Sequence, residues 1–341
     1  MIKNCFICFK IIVLMLCSVV GVGFISGAEI YQFFVRFGKF SYLGVFIFFL
    51  LMFFLTNKIL KQNQHSQNVL KMNNYTKNMV NNTFLLKFKV KSKLLFFNIL
   101  MMSSAMFAGL FNLINKLFFN NYILLSILAI LIIFIILFFG ISCLQKFDYL
   151  VLFLIGFICC YFCFNLSVDN EKAIQTYTYL NNAKYCLLAV LFSVLYVFMN
   201  IVQIQPIINE NNIHMSNRLR KILSFTFALI LTLFLTLFIT FFNNNLYLKN
   251  AEMPFLKFFK MKDGFAYILF VIGLVFALFS SLITSLLGVK NFLNQKLNSN
   301  LLSTFGAVVL SCFISLLGFS KFVSVVYPLI GFINFVVYVF L

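Results

Sequence analysis

Gly21-Val22-Gly23-Phe24-Ile25-Ser26-Gly27-Ala28-Glu29 lies inside the first long apolar run of the chain, Phe6 to Phe37. That run is long enough to cross a bilayer, which takes about 20 residues of helix. Yet it carries glycine at 21, 23 and 27. Each glycine weakens a helix interior by about 1 kcal/mol relative to alanine, so the cluster predicts a break at mid-span. Ser26-Gly27-Ala28-Glu29 has the spacing of a capping box, with the serine hydroxyl on the amide three residues on and the glutamate reaching back. It predicts a new helix start inside the membrane. Backbone freed between Gly21 and Ile25 is tolerated at that depth only where it lines a cavity or is buried in protein. Discontinuous helices of this kind form the substrate and ion sites of many secondary transporters. A second reading stays open, in which Gly23-x-x-x-Gly27 is a contact that lets two straight helices pack closely.

Composition agrees with a membrane chain. Of 341 residues 63% are hydrophobic and 10% charged, and mean hydropathy is +1.05, which excludes an ordinary soluble domain. The 51 phenylalanines accompany many Asn, Ile and Lys. Such a pattern is expected of base-composition bias, so aromatic abundance is not read as a binding signal. The net charge of +19 sits between apolar runs rather than on one face, and so predicts topology, not a nucleic-acid partner. Most of the nine cysteines fall in apolar runs and read as small hydrophobes. Cys159-Cys160-x-x-Cys163 is the sole spacing that suggests a soft metal. His65 and His214 lie in polar stretches, and no H-x-x-x-D or paired-carboxylate spacing appears. No catalytic constellation, and hence no enzyme, is expected.

Apolar length predicts an all-α protein of ten spans in one domain: Phe6–Phe37 (broken), Tyr42–Leu60, Leu94–Phe118, Tyr122–Ile141, Tyr149–Leu166, Tyr185–Ile208, Ile222–Phe242, Phe265–Val289, Leu301–Phe319 and Phe322–Leu341. A long polar stretch follows the second span (Asn57 to Lys93) and another the seventh (Asn243 to Gly264). Two halves, 1–168 and 183–341, therefore share a rhythm. Five spans per half make the second enter the membrane in the opposite sense, an inverted repeat. With a cytoplasmic N-terminus, sixteen of the 26 lysines and arginines fall on the cytoplasmic side. This predicts cytoplasmic termini, a cytoplasmic loop at 57–93 and an extracytoplasmic loop at 243–264.

The run Gly21 to Glu29, with Ile30, Gln32-Phe33-Phe34 and Gly38, resembles the first-helix signature of the YkvI-like bacterial membrane proteins over about 18 residues. Those are similar to the amino acid–polyamine–organocation transporters, whose fold is the LeuT type of two inverted five-helix repeats. The resemblance implies a secondary transporter in the bacterial inner membrane, working by alternating access on a small solute such as an amino acid or amine, with Na⁺ or H⁺ as the coupling ion. A channel or a non-transporting scaffold or sensor are the rival classes. Oligomeric state and substrate stay open.

Candidate residues follow. Gly23, Phe24, Ser26 and Gly27 would present the amides of the outer half-helix to an anionic part of the substrate. Glu29, one of seven acidic residues, is either a proton carrier or cation ligand, or only a helix cap. In the sixth span Tyr196, Asn200, Gln203 and Gln205 precede Pro206, whose ring removes the bond to the Val202 carbonyl. That proline is expected to be the symmetry partner of the glycine break. The amides are read as ligand contacts or as interhelical hydrogen-bond glue, and Asn200 matches an asparagine of the resembled family. In the eighth span Ser281, Thr284, Ser285 and Gly288 form one stripe. Transporters of the resembled type that use sodium set such hydroxyls against carbonyls of the broken helix. The resemblance thus implies Na⁺ between Gly21, Val22, Ser281, Thr284 and Ser285. The alternative is that these hydroxyls bond back to their own helix. Ser103 and Ser104 of the third span are expected to line the same cavity.

Overall fold

A computed structural model describes residues 2–72, 82–139, 153, 156–158, 160–162, 183–210, 216–248, 251–262 and 264–340. Among them every regular element is helical. Among the described residues six helices are long and apolar enough to cross a membrane, and three shorter apolar helices, Cys8–Val19, Tyr122–Phe138 and Asn300–Ser315, accompany them. Large apolar side chains face outward along these helices, among them Phe46, Phe54, Leu124, Leu131, Phe305 and Phe313, as a surface against lipid requires. The chain is an all-helical integral membrane protein. Most of the expected fifth span, the junction between the two expected halves, and Cys159 and Cys163 lie outside the described residues.

The first span is three pieces: α1 (Ile2–Val19), α2 (Val22–Ile25) and α3 (Ala28–Phe33), followed by a 3-10 segment Val35–Phe40. The helices α4 (Ser41–Met72), α5 (Asn82–Leu117) and α6 (Tyr122–Phe139) follow. From residue 183 on come α7 (Ala183–Glu210), α8 (Asn217–Asn244), α9 (Pro254–Lys262), α10 (Phe265–Leu297), α11 (Asn300–Ser315) and α12 (Tyr327–Phe340). Helix α4 packs on α7 and α8, and α7 on α12. Separately, α5 packs on α10 and α11. The broken first span lies between these two sets and touches both.

Three expectations change. The polar stretch 57–93 is largely helix, because α4 runs on to Met72 and α5 starts at Asn82; residues 73–81 lie outside the described ones. No glycine or proline stands between Gly44 and Gly109, and lysine and glutamine are good helix formers, so nothing ends either helix at the apolar boundary. The stretch 243–264 is no plain loop. Its helix α9 sinks Phe255, Phe258 and Phe259 into the core, where Phe255 packs on Phe238, Phe241 and Phe242. Finally, α7 is continuous from Ala183 to Glu210. Pro206 therefore gives no second break, since losing one bond near a helix end leaves the turns before it intact.

On the side opposite to the end of α4, Glu252 ties the entry of α9 to the end of α5. Its Oε2 accepts from Asn112 Nδ2 at 2.9 Å and pairs with Lys116 Nζ at 3.1 Å. The Asn112 amide, followed by the Lys116 ammonium, holds this carboxyl below the usual carboxylate range. A depressed carboxyl stabilises the fold above its unfolded pKa and loses that effect as pH falls through the folded one. The tie should hold at neutral pH and dissolve only in acid, with Glu252→Gln destabilising by less than about 1 kcal/mol because the pair is exposed. Unfolding scans of wild type and Glu252→Gln in detergent should converge below the carboxylate range.

Candidate functional site

The break has two joints. At the first, Gly21 N–H donates to the Val19 carbonyl at 3.0 Å, and the Gly21 carbonyl accepts from Ile25 N–H at 3.1 Å. That carbonyl is engaged by α2, so the break does not leave it without a helix partner. At the second joint Gly27 adopts φ 81°, left-handed backbone that glycine takes without strain. The Ser26 carbonyl exposed there accepts from Phe255 N–H at 3.0 Å, so the start of α9 satisfies the broken backbone. A side chain on Gly27 would meet Phe242 and Phe255 at 3.0–3.1 Å.

The capping box does not form. Ser26 Oγ donates to the Gly23 carbonyl at 3.2 Å and accepts from Ala28 N–H at 3.4 Å, rather than from Glu29 N–H. The left-handed turn at Gly27 rotates Glu29 off the helix end. Its carboxyl instead crosses the interface to accept from Tyr196 Oη at 3.1 Å, with Glu29 only 3% exposed. Gly23 makes room for it: a Cβ there would lie 2.0 Å from Glu29 Oε1. Gly23 thus leaves the space that the Glu29 carboxyl occupies. Gly23→Ala should move the whole Glu29 side chain, since its Cγ and Cδ also lie 2.5 Å from that position, and part the carboxyl from Tyr196. A loss of unfolding free energy of about 1–3 kcal/mol, with tyrosine hydrogen bonding lost in the ultraviolet Raman spectrum, is the expected outcome.

Around Glu29 the structure gathers Tyr196 and Asn200 of α7 and Tyr327 of α12, all fully buried. Asn200 Nδ2 donates to the Tyr196 carbonyl at 2.8 Å, while its Oδ1 has no partner, and neither has Tyr327 Oη. The rings of Phe33, Phe34 and Phe48 pack against Tyr196 and hold its hydroxyl towards Glu29. Tyr327 lies within electrostatic reach of Glu29.

Tyr327 was not foreseen, although Pro328 beside it was the signal. A proline removes the bond to the carbonyl four residues back, here Ser324, and that carbonyl accepts from Gln32 Nε2 of α3 at 3.2 Å. The helix widens to a π turn over Phe322–Val326 just before Tyr327, a distortion frequent at functional sites.

Other expected residues stand elsewhere. Phe24 packs edge-on against Phe238 of α8. Ser103 bonds the Leu100 carbonyl and the Ser311 hydroxyl of α11, and Ser104 bonds the Leu100 carbonyl. Gln203 Nε2 donates to Met102 Sδ at 3.3 Å. The side chains of Val22, Gln205 and Pro206 lie outside the described residues. Of the hydroxyl stripe on α10, Ser281 is buried, Ser285 half-buried, and Thr284 is turned to the outer face. All three bond carbonyls of their own helix, namely Ala277, Ser280 and Leu282. Met106 stands between Ser281 and the break, its Sδ 3.3 Å from Ser281 Oγ and its Cε 2.5 Å from a Cβ placed on Gly21. No group of three or more His, Cys, Asp or Glu that could hold a metal occurs among the described residues.

These features define a polytopic helical membrane protein with a buried carboxyl at a doubly broken helix. No protein-family model and no curated protein matches the chain.

Proposed function

We propose that this chain is a secondary transporter of a small solute, an amino acid or related amine, in a bacterial cell membrane, driven by protons that Glu29 takes up and releases. The observation that carries this reading is the Glu29 carboxyl itself, buried at the break, hydrogen-bonded to Tyr196 and neighboured by the unpaired polar atoms of Asn200 and Tyr327. An ionisable group at bilayer depth is costly to keep, and Glu29 does not cap its own helix, which removes the structural reason for an acid here. The break lies between two helix sets, so rocking one set against the other would alternately open the Gly23–Glu29 region to each side. Ten spans in inverted repeats, with both termini on the lysine-rich cytoplasmic side, belong to the same proposal.

Sodium is the second driver to test, because Ser281 is buried beside the break. Met106, however, puts a soft thioether where Na⁺ would need oxygen. The experiment is an uptake screen of amino acids and amines in proteoliposomes, with a pH or a sodium gradient imposed separately. Saturable uptake that follows the pH gradient is expected. Uptake driven by sodium alone would take the coupling role away from Glu29. Flux that never saturates would make the protein a channel, and no flux of any solute a scaffold or sensor.

A further inference from the structure

We infer that a hydrated polar seam between α12, α7 and α5 joins Glu29 to the end of the bundle that carries Lys58, and that protons reach the carboxyl along it. The inference rests on the reading of Glu29 as the proton carrier. Among the described residues five buried side-chain polar atoms lack a partner, and four of them belong to Tyr327, Asn200, Asn98 and Tyr338. Buried polar atoms without a partner are rare, and in an otherwise apolar interior they mark sites that ordered water satisfies.

The four atoms are not scattered. Tyr327, Asn334 and Tyr338 stand at i, i+7 and i+11, on one face of α12. Tyr196 and Asn200 stand at i and i+4 on α7. Asn98 Nδ2 donates to Asn334 Oδ1 at 2.5 Å, and Asn334 Nδ2 donates to the Phe198 carbonyl at 3.3 Å. This pair bolts the three helices together halfway along. At the far end Lys58 Nζ, exposed, lies 4.9 Å from the Tyr338 ring centre. Tyr327 to Tyr338 covers about 17 Å of helix axis, more than half of a hydrocarbon core about 30 Å thick. The stripe therefore reaches from the depth of Glu29 to one face. The fifth unpaired atom, Arg36 Nε, lies past the break in the 3-10 segment before α4, its guanidinium over the rings of Phe37 and Phe192, and is not part of it.

At Gly331 the α12 and α7 backbones touch, since a Cβ there would lie 2.4 Å from the Leu195 carbonyl oxygen, so the waters run on the α5 side of the stripe, where Asn98 Oδ1 is unpaired. Waters bridging the four atoms form a chain of donors and acceptors. A hydronium at the Lys58 end passes a proton to the first water, each water passes on one of its own, and a Glu29 carboxylate oxygen gains the O–H. Release reverses these transfers, and no other bond changes. Among the described residues the titratable groups facing Glu29 are Tyr196 and Tyr327.

The test is infrared spectroscopy of the protonated-carboxyl band in proteoliposomes after a rapid pH change applied to each side in turn, the band being assigned by its loss in Glu29→Gln. Tyr338→Phe removes one hydroxyl and keeps the ring under Lys58. Asn98→Leu with Asn334→Leu removes both partners of the amide pair at once, which costs far less stability than removing one. Each should slow the response of Glu29 by about tenfold from one side of the membrane and leave the other side unchanged. Wild-type rates from both sides in Tyr338→Phe overturn the seam while leaving Glu29 as the carrier, and that variant decides should the double one fail to fold. A wild-type band that does not respond to pH at all overturns the carrier reading, and the seam with it.

Discussion

Glu29→Gln is expected to abolish uphill transport while leaving the fold and downhill exchange in place. A pH difference of one unit is worth about 1.4 kcal/mol, so a carrier moving one proton per solute sustains about tenfold accumulation. Glutamine has nearly the same shape, and its side-chain oxygen still accepts from Tyr196 Oη, so the hydrogen bond at 3.1 Å in the wild type is preserved. What it cannot do is gain or lose a proton. Accumulation should therefore collapse from about tenfold to about one per unit of pH gradient, with counterflow of labelled substrate retained. Tracer uptake and counterflow on the same proteoliposomes separate the two. A Glu29→Gln protein that still concentrates substrate would remove the carboxyl from the mechanism. Loss of both activities would make Glu29 a substrate contact and not a proton carrier.

The second large effect is expected at Gly331. Its Cβ position lies 2.4 Å from the Leu195 oxygen, 2.9 Å from the carbonyl carbon and 3.1 Å from Cα. All three are main-chain atoms, so no rotamer relieves the clash and α12 must move away from α7. Overpacking of this kind costs about 1–3 kcal/mol, and Gly331→Ala should fall at the upper end because the same movement parts Asn334 from the Phe198 carbonyl. Gly306→Ala is the contrast: its Cβ would meet only Leu293 Cδ1 at 3.4 Å, an ordinary contact, and a helical alanine there should be neutral or stabilising by about 0.4–1 kcal/mol. Denaturant unfolding in detergent measures both. Equal stabilities would mean that the α7–α12 approach is looser than the glycine implies.

The membrane class, the all-helical character and the place of the first-span break were legible in the chain, because each depends on neighbours in sequence. Apolar runs longer than a bilayer are visible residue by residue, and glycines at 21, 23 and 27 weaken a helix wherever it packs. Glu29, Tyr196 and Asn200 were singled out for their chemistry, and the structure brings them together. Their roles were not legible. The capping spacing of Ser26 and Glu29 pointed to a local bond, yet Gly27 turns left-handed and sends the carboxyl to Tyr196, 167 positions away.

The hydroxyl stripe on α10 shows the same limit from the other side. Spacing puts Ser281, Thr284 and Ser285 on neighbouring positions of one helix, but only packing decides that Thr284 faces outward and that Met106 fills the space before Gly21. Pro206 and Pro328 look alike as letters, yet α7 runs unbroken through the first, whereas Ser324, four residues before the second, gives its carbonyl to Gln32. Hydropathy and propensity are sums over adjacent residues, and the sequence by itself determines them. Which polar atom finds a partner across an interface, and which stays unpaired in the core, depends on residues far apart in the chain whose facing is set only when the helices pack.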